Sequence, residues 1–436
     1  MDYLGMIKQQ LQDTLALVDA GVEYTYGDLV TKAEDIRQKA SFAEKVIFIH
    51  EEKIVDQLIT FLAYSGTATV PIIATDASKG QEFVVDHIPE AACMGVMTSG
   101  STGKSKLLWR SYRSWVDFFP EQNRIFGVDE NTVIFCQGSL AFTGNMNIYM
   151  SILFAGATLI VTEKFRPKEW LRLMEVYKVN TLYLIPSKLL LLPRVLEEPN
   201  LNIKHIIAGS QSMGRAEADK LLKIYPNTEI TLYYGASEMN YITYIKDKEM
   251  TDDRTDIGLP FNGVKVTVEN EEIFIDNNFH VEEIEMPFSL KDRGYIDAKG
   301  RLHFLGRTDD ILGVNGMKIS SQKIEMVLKE LPQVMEAKVL SIHVDDQDIL
   351  TAFLGTDLES DDSGVSLNAE KAEGVLAPTE ASNAKHMSKG ELVKLLKTSI
   401  LDEHEIPKQF IFMSALPKNE SGKIDKRKLL EQYNSK

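Results

Sequence analysis

Short apolar runs rich in β-branched and aromatic residues recur along the chain. They are Lys45 to Ile49, Thr132 to Phe135, Ala157 to Val161, Thr181 to Ile185, His205 to Ile207 and Glu229 to Tyr233. Between them lie stretches whose apolar residues recur with the helical period, as in Pro167 to Tyr177 and Arg215 to Ile224, which predicts amphipathic helices. Strands alternating with helices imply the α/β class, with parallel sheets covered by helices. From about Gly258 the texture changes to short alternating strands with turns, as in GVKVTVENEEIFIDNN, and predicts a β subdomain over about 258–308. A mixture of short strands and helices from Asp309 onward predicts a small α+β C-terminal domain, 309–436, following a large N-terminal domain, 1–308. Within it, the stretch 356–387 is rich in Ser, Ala, Glu and Asp and has no aromatic residue, so it reads as a flexible acidic surface insertion.

Composition bounds this picture without changing it. A chain of 436 residues is long enough for roughly two to four domains or subdomains. With 44% apolar and 26% charged residues, it has the balance of a soluble globular protein. The longest nearly uncharged apolar stretch, Ile148 to Val161, falls short of the ~20 residues a membrane span needs, so no membrane span is expected. The N-terminus, MDYLGMIKQQLQD, lacks the basic start and apolar run of a secretory signal. The two cysteines, Cys93 and Cys136, are expected to be reduced and structural in a cytoplasmic setting. With no Cys/His cluster, a zinc site is not expected. A net charge of −16 argues against nucleic acid as a partner, since phosphate backbones are gripped by basic faces.

The candidate chemistry begins with TSGSTGKSK, Thr98 to Lys106. Small residues let backbone N–H groups crowd around phosphate oxygens, hydroxyls donate further bonds, and a lysine offsets charge. Two phosphate-binding patterns compete for this loop. In the Walker pattern of P-loop ATPases, with Lys104 as its lysine, the first glycine should stand at position 98, where the chain has threonine. In the pattern [ST]-[ST]-G-[ST]-T-G-x-P-K-G of enzymes that join carboxylic acids to AMP, all positions match except Ser105 for proline and Leu107 for glycine.

Further pieces follow in order. Tyr234-Gly235-Ala236-Ser237-Glu238 comes just past an apolar run, where α/β sheets bind ligands; its ring can stack on a base and its carboxylate can hold Mg²⁺. Asp292 precedes Gly294-Tyr295-Ile296-Asp297, and Arg307 lies in Gly306-Arg307-Thr308-Asp309-Asp310 after the short strand Leu302 to Leu305. A carboxylate suits the two hydroxyls of ribose, and an arginine adds a charge-assisted bond. Lys423 stands in PKNESGKID, on a turn between ordered segments. Taken singly, each of these is more often a buried tyrosine, a surface ion pair or a solvated lysine.

Taken together, they carry a resemblance. TSGSTGKSK, YTYGDL (Tyr24 to Leu29), YSGTATVP (Tyr64 to Pro71), YGASE, DRGYIDAKGRLHFLGRTDDILGVNGMKI (Asp292 to Ile319) and LPKNESGKID (Leu416 to Asp425) resemble, in family order, the AMP-forming adenylating superfamily. Its members include acyl-CoA synthetases, peptide-synthetase adenylation domains and luciferases. The resemblance implies a two-step ligase: a carboxylate and ATP give acyl-AMP and pyrophosphate, then a thiol of CoA or of an acyl carrier protein's phosphopantetheine displaces AMP. It implies that Thr98, Ser99, Gly100, Ser101, Thr102 and Gly103, with Lys106, hold the β- and γ-phosphates. Tyr234 would stack on adenine, Gly209, Ser210 and Gln211 would line its other side, and Tyr233, Gly235 and Ala236 would belong to the same nucleotide site. Ser237 would touch the α-phosphate, Glu238 would bind Mg²⁺, Asp292 and Arg307 would bind ribose, and Lys423 would bridge the α-phosphate and the attacking carboxylate. The family further implies that the small domain is mobile and rotates about a hinge at Asp309, withdrawing Lys423 and presenting the Gly316 region to the thioester site.

The departures are informative. Gly313 stands where many members carry lysine, Gln211 stands where many adenylation domains have glutamate, and the region before Asp292 is shortened. Phe142-Thr143-Gly144-Asn145 aligns with the F-D-x-S stretch of amino-acid-activating members, so Phe142, Thr143 and Asn145 are expected in the substrate pocket, with Thr143 in place of the aspartate that pairs with an α-ammonium group. Loss of that carboxylate disfavours an amino acid, because a buried ammonium needs a partner. An aryl or aliphatic small carboxylic acid is the expectation, and an amino acid or D-alanine ligase for a carrier protein is the alternative.

Overall fold

The computed structural model describes residues 2–74, 83, 85–99, 105–196, 198–314, 317–329, 331, 334–344, 347–356, 389–399, 401–418 and 424–434. The acidic stretch expected as an insertion lies outside the described residues apart from Thr356. The chain divides into two compact units, residues 1–290 with 294–304, and residues 291–293 with 305–436.

The first unit is built on a nine-stranded sheet. Its central strands, Leu15–Asp19, Val133–Gln137, Thr158–Thr162, Thr181–Tyr183, His205–Gly209 and Glu229–Ala236, run parallel. At the edges of this parallel core the pairing turns antiparallel. Val22–Thr25 pairs antiparallel on one side, and Asn240–Lys246 with Leu259–Pro260 does so on the other. Tight turns join Leu15–Asp19 to Val22–Thr25 and Glu229–Ala236 to Asn240–Lys246, which only antiparallel pairing permits. The strand expected to reach Ile185 stops at Tyr183, because Pro186 opens a short helix and disfavours a ladder bond beyond it.

The apolar stretch at 148–161 is split between a helix, Thr143–Phe154, and a strand, Thr158–Thr162, with Gly156 at a positive φ of 75° making the bend that glycine permits. The helix is buried nearly all round, through Met146, Ile148, Tyr149, Met150, Ile152 and Leu153, which is why its sequence shows no polar stripe. On the opposite layer, the predicted amphipathic helices Pro167–Val176 and Arg215–Ile224 turn Trp170, Met174, Ala218 and Leu221 inward. Each such large apolar side chain contributes about 1.5–3 kcal/mol by leaving water.

A second sheet, Val46–Ile49, Val70–Ile73, Ala92–Ser99 and Ser105–Ser111, is parallel except for its last hairpin. Over the stretch read as β-rich, Lys265–Glu269, Glu272–Asp276, Phe288–Ile296 and Leu302–Arg307 form a four-stranded sheet. The second unit has its own cores. Val334–Val344, Gln347–Thr356 and Gln409–Met413 form a sheet that packs against Ser321–Lys329 and Lys389–Lys397 through Val339, Ala352, Leu354, Ile324 and Leu392. Among the described residues no helix is long and apolar enough to cross a membrane.

Candidate active site

The parallel strands His205–Gly209 and Glu229–Ala236 end side by side, with Gly209 opposite Tyr233. Along the second of these, Ile230, Thr231 and Leu232 are buried, whereas Tyr233 through Glu238 are partly exposed. The chain therefore surfaces at the carboxyl end of the sheet, the end at which such sheets take ligands. Position 209 has to be glycine, because a Cβ there would overlap the Tyr233 ring. That ring stacks parallel to Tyr183 at 6.4 Å, meets Tyr241 edge-on at 4.4 Å, and its hydroxyl lies 2.9 Å from that of Tyr183. Burial pushes the Tyr233 hydroxyl up to about 12, against hydrogen bonds to Tyr183 and Ser210 that pull it down, so it is a neutral phenol at physiological pH. Ser210 holds a left-handed backbone at φ 65°. The Gln211 side-chain oxygen accepts the Ser187 backbone N–H at 2.9 Å.

Tyr234 lies 5.6 Å from Phe304, ring to ring. Beyond it, Ala236 pairs with Asn240, so Ser237, Glu238 and Met239 form a three-residue hairpin loop closed by Asn240 at φ 68°, a common loop geometry with a left-handed closing residue. Gly235 permits the closure, since a Cβ there would sit 2.6 Å from the Asn240 carbonyl oxygen. Three successive carbonyls of the loop are pinned from outside. The Val281 N–H donates to Glu238 O at 2.8 Å, Asn277 Nδ2 to Met239 O at 3.2 Å, and the Arg110 guanidinium to Ser237 O at 2.6 Å.

Thr98 and Lys106 face each other across the antiparallel hairpin of Ala92–Ser99 and Ser105–Ser111, and Ser99 pairs with Ser105. Gly100, Ser101, Thr102, Gly103 and Lys104 lie between these strands, outside the described residues. A Walker loop leads from a strand into a helix; the strand emerging at Ser105 rules that connection out.

The helix Thr143–Phe154 begins at Phe142 without a side-chain cap. Asn145 Nδ2 donates to the Ser139 carbonyl at 3.0 Å. A Cβ on Gly144 would lie 3.0 Å from the Tyr183 hydroxyl and 3.8 Å from that of Tyr233, so this helix end, Tyr183, Tyr233 and Gly209 are brought together. Thr143 Oγ1 is buried and has no hydrogen-bond partner among the described residues. Tyr183 was not singled out by sequence reasoning, because it lies in no motif, and Gly144 is the one residue of the Phe142–Asn145 stretch that was given no role. Arg110 was missed as well, and a basic residue in an apolar strand is the signal that marks it.

In the second unit, Asp292 is 1% exposed and Arg307 Nε lies 3.1 Å from its Oδ1. The two residues expected to share a ribose therefore contact one another. Lys423 and the side chain of Asp309 lie outside the described residues. Lys418 and Ile424, which flank the Lys423 segment, form an antiparallel bridge.

No group of three or more His, Cys, Asp or Glu side chains able to hold a metal occurs among the described residues. A lone carboxylate such as Glu238 suits Mg²⁺, which keeps several waters and is shared between one or two carboxylates and substrate phosphates.

A family model described as AMP-binding enzyme matches residues 14–274. An uncharacterized acyl-CoA ligase, YhfT of Bacillus subtilis, is 26% identical over 75% of this chain and 66% of its own length. The D-alanine–D-alanyl carrier protein ligase of Lactococcus lactis is 26% identical over 77% of this chain and 69% of its own. The chain thus spans about two thirds of the length of these relatives. The fold is shared with the O-succinylbenzoate coenzyme A synthetase MenE of Bacillus subtilis solved with ATP and magnesium, at a TM-score of 0.78 and 16% identity over 99% of this chain and 99% of that one.

Proposed function

Because the chain belongs to the family of AMP-binding enzymes, we propose that it activates a non-amino carboxylic acid as acyl-AMP with release of pyrophosphate, then transfers the acyl group to the thiol of CoA or of a carrier-protein phosphopantetheine. The observation that carries this reading is the 2.6 Å bond from Arg110 to Ser237 O. It joins the strand leading out of TSGSTGKSK to the YGASE loop, which supports assigning the phosphate motif and the metal carboxylate to one constellation.

The substrate carboxylate is itself the nucleophile on the α-phosphorus, so the protein's task is positioning and charge stabilisation. Thr98, Ser99, Ser101, Thr102 and Lys106 hold the β- and γ-phosphates. Tyr234 lies on the adenine, with Gly209, Ser210 and Gln211 on its other side. Ser237 meets the α-phosphate, and Glu238 is the carboxylate for Mg²⁺, which neutralises phosphate charge when bound. Asp292 and Arg307 bind the ribose, and their ion pair holds the two groups ready for it. Lys423 bridges the α-phosphate and the attacking carboxylate; rotation of the small unit about Asp309 then removes it for the thiol step. Cytoplasmic placement is supported by two free thiols, with burial pushing that of Cys93 up to about 12, so neither is poised for oxidation.

Thr143 supports a non-amino acid, since it offers a hydroxyl and no charge to an ammonium group. The similarity to the D-alanine carrier ligase favours a second reading, in which an amino acid is loaded onto a carrier protein. Acid-dependent exchange of pyrophosphate into ATP across a panel of aryl, aliphatic and amino acids separates the two. Exchange with non-amino acids and AMP as product is expected; exchange with amino acids alone rejects the first reading, and ADP as product rejects both.

A further inference from the structure

Arg110 sits on the strand Ser105–Ser111 with no exposed surface. Its guanidinium donates to the Ser237 carbonyl at 2.6 Å, to the Phe279 carbonyl at 3.0 Å and to Ser114 Oγ at 3.2 Å, and lies 5.3 Å from the centroid of the Trp115 ring. No carboxylate forms an ion pair with it among the described residues. Its charge is held by two carbonyl dipoles, a hydroxyl and an aromatic face, the last a cation–π contact. Burying a cation this way carries a desolvation cost that an apolar side chain of similar volume would not. The guanidinium is therefore explained by what it holds.

What it holds is one peptide group. In a trans peptide the C=O and N–H point in opposite directions. Drawing the Ser237 carbonyl onto the buried guanidinium turns the N–H of Glu238 away from it, in a loop whose Ser237 and Glu238 are partly exposed. Side chains alternate along a strand, so Lys106, Leu108 and Arg110 share one face of Ser105–Ser111. That face starts at the exposed Lys106 beside the phosphate loop and ends at the buried Arg110 against the Ser237–Glu238 peptide.

Resting on the proposed nucleotide site, we propose that Arg110 is a positioning residue that sets the Ser237–Glu238 peptide for the metal–triphosphate part of ATP, and couples the strand of the phosphate loop to the metal carboxylate. Its effect should fall on binding of the metal–triphosphate and leave the adenosine end nearly untouched.

The test measures binding of Mn²⁺·ATP, by the paramagnetic signal of free Mn²⁺, and of metal-free AMP, by calorimetry, to the full chain and to Arg110→Met and Arg110→Lys. Circular dichroism and thermal midpoints establish folding. Arg110→Met is expected to weaken Mn²⁺·ATP at least tenfold and AMP less than twofold. Arg110→Lys, which keeps the charge but cannot span two carbonyls, is expected to recover part of the loss. Equal weakening of both ligands, or no weakening in a folded Arg110→Met, overturns the proposal. Should the methionine variant not fold, an unchanged Mn²⁺·ATP affinity in Arg110→Lys overturns it instead. Mn²⁺·ATP binding that depends on Arg110, in a protein with no acid-dependent pyrophosphate exchange, sinks the ligase reading alone and supports the role of Arg110.

Discussion

Single residues at the strand ends carry steric demands that make them testable. A side chain at position 209 collides with the Tyr233 ring, so Gly209→Val must displace the ring that lies beside the proposed nucleotide site. Its KM for ATP is expected to rise about tenfold, equivalent to ~1.4 kcal/mol, with the thermal midpoint falling as well; unchanged steady-state kinetics would remove Gly209 from the site. Gly258 is placed under a harder constraint, with φ 85° and a Cβ position that overlaps the Tyr244 carbonyl. Gly258→Ala should therefore cost about 2–4 kcal/mol in denaturant titrations. These demands are invisible in the sequence. Neither the place of Gly209 beside Ser210 and Gln211 nor that of Gly258 at the start of the β-rich stretch tells what crowds it, since that comes from a neighbouring strand.

At the scale of elements, local rules account for most of the framework. The helix Tyr26–Lys39 starts with a reciprocal capping box, Thr25 Oγ1 accepting from Asp28 N and Asp28 Oδ2 accepting from Thr25 N. Thr25→Ala should lower stability by about 1 kcal/mol. In the second unit, burial pushes the Asp310 carboxyl up, but Lys338 at 4.0 Å and Lys426 at 3.0 Å outweigh it and hold the group below its ordinary range. A depressed folded pKa contributes stability that is present above the unfolded value of about 3.9 and lost as pH falls through the folded one. The thermal midpoint of the second unit is thus expected to drop below about pH 4, and Asp310→Asn to flatten that acid dependence while costing about 2 kcal/mol at neutral pH. An acid limb of the same steepness in the variant would assign the loss to other carboxylates.

For the whole molecule, two units with separate hydrophobic cores divide the labour of the proposed reaction. Lys423→Ala is expected to slow acyl-AMP formation at least a hundredfold and to leave thioester formation from supplied acyl-AMP within about twofold, since the role proposed for the lysine is to stabilise charge in the first step only. Adenylation at the original rate would undo that role.

The alternation of apolar runs and amphipathic stretches was enough to reveal the α/β layering, and the order of short motifs revealed the family, because periodicity and loop chemistry are local properties that one stretch of chain expresses by itself. Which side chains meet is a different kind of fact. That Arg110 reaches the Ser237 carbonyl 127 residues away, that Tyr183 bonds to Tyr233 and that Asp292 pairs with Arg307 follow from strand order and register. Those are decided only when the whole chain buries its apolar faces at once.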